Sequence, residues 1–458
     1  MITHLFFRPA DSPRHAPRQR LVTRRKGIAP ARLLLVAGML GAPSLSAQET
    51  TLAAATPPIP ASVVDAAKRN KDFPSLRQVA GWAREQAPAV VSAQAFLAIA
   101  RSSHVGARMS SFDNPYVELL ADRGSHQASR NVTVQASIWL PVELSGQRGR
   151  RIAEADALVQ WQQASLTSVR FAAVGEAVHA YGYALVATAR VRLLDEIVAA
   201  SRDEAELYRG RLAARDATDA DEKLAMVELS RNVLLLDESR AELTRVQLDL
   251  SRVTGRNVPL PTAAQSEIPP ALARSWADAA SADREALESP HVASSTSEAH
   301  YFARARDRAE RSAQAPVSFI ATAGRGDVAE LRVGAGVAWS LPTVRTNQGE
   351  QARATAERAR ALAEAAVKRR TIALTLRSLW TEFEQIREAR QHLETTGESA
   401  AKASVEAALA TLAAGKGEML RVLTARRDWA FLRLRRIDLI KREWEILGEV
   451  VAITGDVP

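Results

Sequence analysis

Two stretches of the chain alternate apolar and polar side chains with a period of two. In Asn131–Leu140, Val132, Val134, Ala136, Ile138 and Leu140 fall on one face, and Asn131, Thr133, Gln135 and Ser137 on the other. Further on, Val333, Ala335, Val337, Trp339 and Leu341 alternate with Arg332, Gly334, Gly336, Ala338 and Ser340. This is the pattern of a strand with one apolar and one polar side. Each stretch is about ten residues long, which suits a tilted strand crossing a membrane. On alternation alone, a pair of soluble hairpins fits equally well.

Elsewhere the apolar period is helical and very long. No proline interrupts Glu143–Leu212, and a ladder of sevens runs through Ile152, Val159, Leu166, Ala173, Ala180, Ala187 and Leu194. A second ladder runs through Ala365, Ile372, Leu379, Ile386, Leu393, Ala400, Ala407 and Ala414. Sustained heptads predict supercoiled rods, and the many alanines predict close packing between them. At about 1.5 Å per residue, such a rod spans on the order of 100 Å, far more than a globular core requires. Returning helices are expected over Thr218–Val253 and Glu418–Ile453, and a leading helix over Ser75–Phe112.

The chain is duplicated. Pro88 matches Pro290, Pro115 matches Pro316 and Pro141 matches Pro342; Leu212-Ala213-Ala214 matches Leu412-Ala413-Ala414, and Thr254-Gly255 matches Thr454-Gly455. All these landmarks keep an offset of 200 to 202 residues, a period that marks a repeated half-molecule rather than a solenoid. The expected organisation is a first repeat over 75–256 with its β-hairpin at 115–141, a proline-containing linker over 257–289, and a second repeat over 290–455 with its β-hairpin at 316–342. Gly324-Arg-Gly326 reads as the turn of that second hairpin.

Charge changes the picture only at the N-terminus. The formal net charge is +9, but Arg8, Arg14, Arg18, Arg20, Arg24, Arg25, Lys26 and Arg32 all precede residue 48, against the single acid Asp11. What remains is nearly neutral and does not support a groove for nucleic-acid phosphates. Residues 1–47 read as a signal peptide with an extended n-region: Arg24-Arg25-Lys26 precede Leu33–Ala37, and Ser44–Ala47 offers a cleavage site. Residues 48–74 read as a linker. With no cysteine, the chain has neither disulfides nor thiolate metal sites. After the leader no stretch is apolar for the roughly 18 residues of a membrane helix, so any crossing must be a β-barrel.

Chemistry-bearing patterns are sparse. His104, His126, His179, His291, His300 and His392 share no i, i+4 spacing, no phosphate-cradling glycine loop precedes a Lys-Ser or Lys-Thr pair, and no thioether stair is present. No catalytic, cofactor or metal residue is assigned, and the chain reads as a non-enzyme.

The junction Trp139-Leu-Pro-Val-Glu-Leu-Ser-Gly-Gln-Arg-Gly-Arg-Arg-Ile-Ala-Glu-Ala155 resembles the strand-to-helix junction of TolC-like outer-membrane factors. Ser340-Leu-Pro-Thr-Val-Arg-Thr-Asn-Gln-Gly-Glu-Gln-Ala352 resembles the same junction in the second repeat, and the pair is most similar to the CzcC-like cation-efflux branch. The segment Ala414–Arg426 resembles the family's tip turn. The likeness covers about residues 75–455.

The resemblance implies a mainly α fold with a small transmembrane β part: a duplicated helix–β-hairpin–long-helix unit. Its long helices would build an α-helical tunnel, and each chain would give four strands to a trimeric 12-stranded β-barrel. It also implies outer-membrane localisation with a large periplasmic part, outer-membrane lipid around the barrel, and a periplasmic adaptor and RND-type inner-membrane pump as partners. The adaptor would meet the tips Leu212, Ala213, Ala214 and Arg215, and Leu412, Ala413, Ala414 and Gly415. In a trimer Asp216, Asp219 and Asp221 would ring the tunnel end; equally, they fit an N-cap cluster opening the returning helix. A secreted periplasmic coiled-coil scaffold, or an adaptor without membrane insertion, is the alternative; an adaptor would need more β segments than the four plausible strands here.

Overall fold

The computed structural model describes residues 73–123, 132–261, 267–272, 274–325, 330–344, 346–414 and 419–458. The expected signal peptide, nearly all of the 48–74 linker, Asn131, the Gly326 end of the expected turn, and Gly415 lie outside them.

The expected leading helix is two helices, α1 (Leu76–Gln86) and α2 (Pro88–Ala107). The break falls at Ala87, whose ψ is 138°, because the ring of Pro88 disfavours helical geometry in the residue before it. Ser75 opens α1 with a capping box completed by Gln78. Strands β1 (Tyr116–Arg123) and β2 (Val132–Val142) follow, then α3 (Gln147–Ala213) and α4 (Asp219–Thr254).

The second half repeats this order. The stretch expected as linker contains α5 (Ala279–Glu288), which breaks at Ser289 before α6 (Pro290–Ser312) just as α1 breaks before α2. Strands β3 (Val317–Arg325) and β4 (Leu331–Ala338) lead to α7 (Gln348–His392), a π-helical turn at Leu393–Gly397, α8 (Glu398–Ala413) and α9 (Met419–Thr454). Two strand details differ from expectation. Trp339 and Leu341 lie beyond the end of β4. Gly324 and Arg325 belong to the β3 ladder, opposite Gln135 and Val134 of β2.

Backbone landmarks are duplicated as well. Gly146 before α3 and Asn347 before α7 both take positive φ, 76° and 56°. Glycine and asparagine tolerate that left-handed geometry best. Gly255 and Gly455 close α4 and α9 at φ 67° and 74°.

The first heptad ladder faces the core: Leu166, Ala173, Ala180, Ala187 and Leu194 are all buried. The second holds through Ala365, Ile372 and Leu379 and then slips. Ala400, Ala407 and Ala414 are exposed, whereas Val405 and Ala408 are buried. A π turn accommodates one extra residue, so the seam resumes one position later than a strict repeat predicts. The main core joins α3, α4 and α9 through Val178, Tyr181, Leu185, Val246, Leu250, Ile440, Trp444 and Leu447. A second cluster seats Leu376, Leu379 and Phe383 of α7 against Ile446 and Val450 of α9 and Trp276.

Candidate functional site

The four strands form one antiparallel sheet in the order β1-β2-β3-β4. Register places Val117, Leu119 and Ala121 beside Ile138, Ala136 and Val134, and these beside Ala321, Ala323 and Arg325 of β3. Phe319, Ala321 and Ala323 then meet Val337, Ala335 and Val333 of β4. Apart from Arg123 and Arg325 at one end, one face is therefore apolar across every strand. The other carries Glu118, Asp122, Thr133, Gln135, Ser137, Thr322 and Arg332.

Strands β1 and β4 are exposed on nearly every residue, and in the inner strands β2 and β3 the apolar side is the more exposed, the reverse of a soluble sheet. Leu119 and Val333 on the apolar face are 75% and 76% exposed, while Ser137 on the polar face is 6% exposed. Full burial of one such side chain stabilises by about 1.5–3 kcal/mol, so leaving the whole face in water is a large sacrifice. On the polar face the Tyr116 and Trp139 rings stack with centroids 5.5 Å apart, and the Trp139 indole N–H donates to Glu118 at 3.1 Å. Strands β1 and β4 each pair on one side only, so both outer edges present unpaired backbone groups.

The helical tips lie together at the other end. Tyr208 of α3, Ala225 of α4, and Met419 and Leu423 of α9 share one small buried cluster. At the first tip the chain reverses through Arg215, which takes φ 63° although it is not glycine. The Asp216 N–H then closes onto the Arg211 carbonyl at 2.8 Å. Leu212 and Ala213 end α3 with Ala214 as its C-cap, and Leu412, Ala413 and Ala414 do the same for α8.

The three tip acids each have a partner within their own turn. Asp216 pairs with Arg211 at 3.2 Å and Asp219 with Lys223 four residues on. Asp221 completes a capping box with Thr218, whose hydroxyl and backbone N–H both donate to its carboxylate. Those donations hold the Asp221 carboxyl below its ordinary range. Asp219 and Asp221 thus sit in the first turn of α4 behind its Thr218 cap, while Asp216 pairs back onto α3.

Among the described residues no three or more His, Asp or Glu side chains are grouped to hold a metal ion. His104 meets Asp156 at 3.4 Å, His291 lies between Ser168 and the Ala452 carbonyl, and His179 packs on Tyr183 with burial lowering its pKa. No described helix is long and apolar enough to cross a membrane.

Alternation in β2 and β4 pointed to half of the apolar face. In β1 and β3 the apolar side is hidden in the sequence, because Leu120 and Ile320, on the polar side, blur the period. A buried Arg390–Glu443 pair, 2.7 Å apart, also escaped notice, since both residues sit in highly charged helices.

No protein-family model matches the chain. The cobalt-zinc-cadmium resistance protein CzcC of Cupriavidus metallidurans is 27% identical over 344 residues, 75% of this chain and 81% of that protein. A membrane protein from Pseudomonas aeruginosa superposes with a TM-score of 0.67 at 16% identity, covering 82% of this chain and 89% of that one. The Campylobacter jejuni CmeC outer membrane channel gives 0.66 at 12% identity, covering 83% and 85%. CusC, a protein described as forming a transmembrane channel, gives 0.65 at 12% identity, covering 82% and 91%. By fold and by its duplicated order of elements this chain is similar to these solved outer-membrane channel structures, and by sequence it is similar to CzcC.

Proposed function

We propose that the chain is one of three identical subunits of an outer-membrane efflux channel, a passive conduit through which cargo leaves the periplasm without bond making or breaking. The observation that carries this reading is the sheet, whose apolar face runs across all four strands and is left exposed. Lipid removes the cost of that exposure. Four strands are too few to close a barrel, for which about eight is the least; three copies supply enough, and edge β4 of one copy then meets edge β1 of the next. A scaffold that stays in water would leave both the apolar face and the two edges uncovered.

The polar strand face would line the pore, and the long helices would continue it as a tunnel through the periplasm. The tips, Leu212–Arg215 and Leu412–Gly415, are the reading's contact with a periplasmic adaptor and, through it, an inner-membrane pump of the RND type. Support comes from their shared position at the end of the bundle, where α3 turns into α4 and α8 approaches α9. The CzcC relative and the junction residues together support divalent metal cations as cargo.

Light scattering of detergent-extracted protein tests the assembly and is expected to give three copies; a stable monomer overturns the barrel. Cargo is tested by deletion, which should sensitise cells to zinc, cobalt or cadmium, with export restored by the wild-type chain. A Gly415→Trp chain tests the tips: trimers should reach the outer membrane while export and adaptor cross-linking fail. An abundant Gly415→Trp trimer with full export removes the tip from the reading.

A further inference from the structure

The apolar face of the sheet carries two charged residues among those described, and both are arginines at the same end. Arg123 ends β1 opposite Val132, and Arg325 ends β3 opposite Val134. Because Val132 and Val134 point to the same side, both guanidinium groups rise on the face that carries Leu119, Ile138 and Val333. Alternating exposure along β3 agrees, with Phe319, Ala321, Ala323 and Arg325 exposed and Ile320, Thr322 and Gly324 more sheltered. The acids of the strands, Glu118 and Asp122, lie on the opposite face. Neither arginine has an ion-pair partner among the described residues.

This end is the hairpin end, away from the helices. Resting on the channel reading above, it is the outward rim of the barrel, where the hydrocarbon layer gives way to the headgroups of the outer leaflet. We propose that Arg123 and Arg325 form a site for a phosphate-bearing lipid headgroup of that leaflet, three such sites per trimer. The two strands flank β2 and the two arginines are offset by two residues along it, so their backbones lie about 12 Å apart. Long arginine side chains span that gap, and a planar fork matches phosphate oxygens two at a time.

A lone arginine at a membrane rim needs only water for its head, and its stem then lies along the lipid. Two arginines on the strands that flank β2, on a strand face that carries no acid among the described residues of the four strands, make a concentrated cationic patch. Anionic headgroups complement it directly, and the lipid chains of the same molecule continue onto Leu119, Val134 and Val333. The site therefore recognises a lipid by both its ends: phosphate at the rim, acyl chains below.

The test uses the full-length trimer purified in detergent, with diphosphorylated lipid A as probe and the same lipid stripped of phosphate as control. Binding is read by native mass spectrometry. Wild type should bind the phosphorylated lipid at least tenfold more tightly than the stripped one, and Arg123→Gln/Arg325→Gln should lose that preference while still migrating as a heat-modifiable trimer. Where the double variant does not assemble, Arg325→Gln alone carries the same comparison and should lose most of the preference. Equal binding of the two lipids by wild type, or an unchanged preference in the variant, overturns the site. A wild-type chain that forms no trimer at all instead sinks the channel reading on which the site rests.

Discussion

Gly175 of α3 and Gly448 of α9 meet backbone to backbone: a Cβ added at Gly448 would stand 3.0 Å from the Gly175 carbonyl oxygen. The reverse substitution is tighter, since a Cβ at Gly175 would reach 2.6 Å from the Gly448 carbonyl and 2.4 Å from the Ala452 methyl. Close approach of the two rods is thus set by missing side chains, not by turn geometry. Gly448→Leu should lower stability by about 1–3 kcal/mol or more, the usual cost of overpacking. Gly106→Ala, in open space on α2, should be neutral or mildly stabilising. Thermal unfolding of the purified proteins compares them.

Face, more than position, should decide tolerance in the strands. Val134→Arg and Val337→Arg place charge on the apolar side and should each cost roughly 2–4 kcal/mol in lipid, seen as loss of folded protein from the outer-membrane fraction. Gln135→Arg and Ala338→Arg, one residue along, should assemble close to normally. Equal tolerance on both faces would argue against lipid contact.

The Arg390–Glu443 pair makes an asymmetric prediction. Glu443 is 1% exposed, and Arg390 reaches Glu394 as well at 3.1 Å. Removing one partner of such a pair strands the other, at about 3–5 kcal/mol, so Arg390→Met should be severe. Replacing both, with Arg390→Met and Glu443→Leu, should recover much of the loss. Burial raises the Glu443 pKa even with Arg390 present. A carboxyl that binds its proton more tightly folded than unfolded loses stability as pH rises through the raised value. Arg390→Met should therefore be more stable at mildly acidic than at neutral pH, by denaturant titration, and a flat profile would show that Glu443 is not the stranded group.

At the tip the sign reverses. Asp221 is held below its ordinary 3.8 by Thr218, so the stability its capping box contributes is present above that value and lost as pH falls through the lowered one. Amides in the first turn of α4 should lose protection, relative to their intrinsic exchange rates, on acidification into that window. Thr218→Ala should cost about 1 kcal/mol and abolish the pH dependence of their protection.

The duplicated order of elements and the amphipathic strands were legible because each depends on local spacing. Pro88 and Pro290 announce a helix boundary by themselves, yet only the fold reveals that both divide a pair of helices, since Ala87 and Ser289 look helix-compatible in isolation. The tip acids were open to two readings because charge alone does not reveal a partner; Arg211, Thr218 and Lys223 are identified only when the turn is built. The buried pair was invisible for a related reason. Arg390 and Glu443 are 53 positions apart, and no sequence period links α7 to α9.

The π turn at Leu393–Gly397 acts as a phase slip in a periodic lattice. One residue of an α-helix is about 100° of rotation, so the slip turns α8 by that angle relative to the face α7 would have carried forward. The two parts of the rod thereby become separately addressable: the upper part keeps the seam of Ile372 and Leu379, and the terminal part sets its own through Val405 and Ala408. Deleting one residue of the turn would restore a plain α-helix and leave Val405 and Ala408 on the seam, whereas straightening the turn without a deletion would bring Ala400 and Ala407 into line and carry Val405 and Ala408 out into solvent. Mutations accumulating at the tip can then change what it touches without detuning the rod above it, as a dislocation lets one block of a crystal move against another.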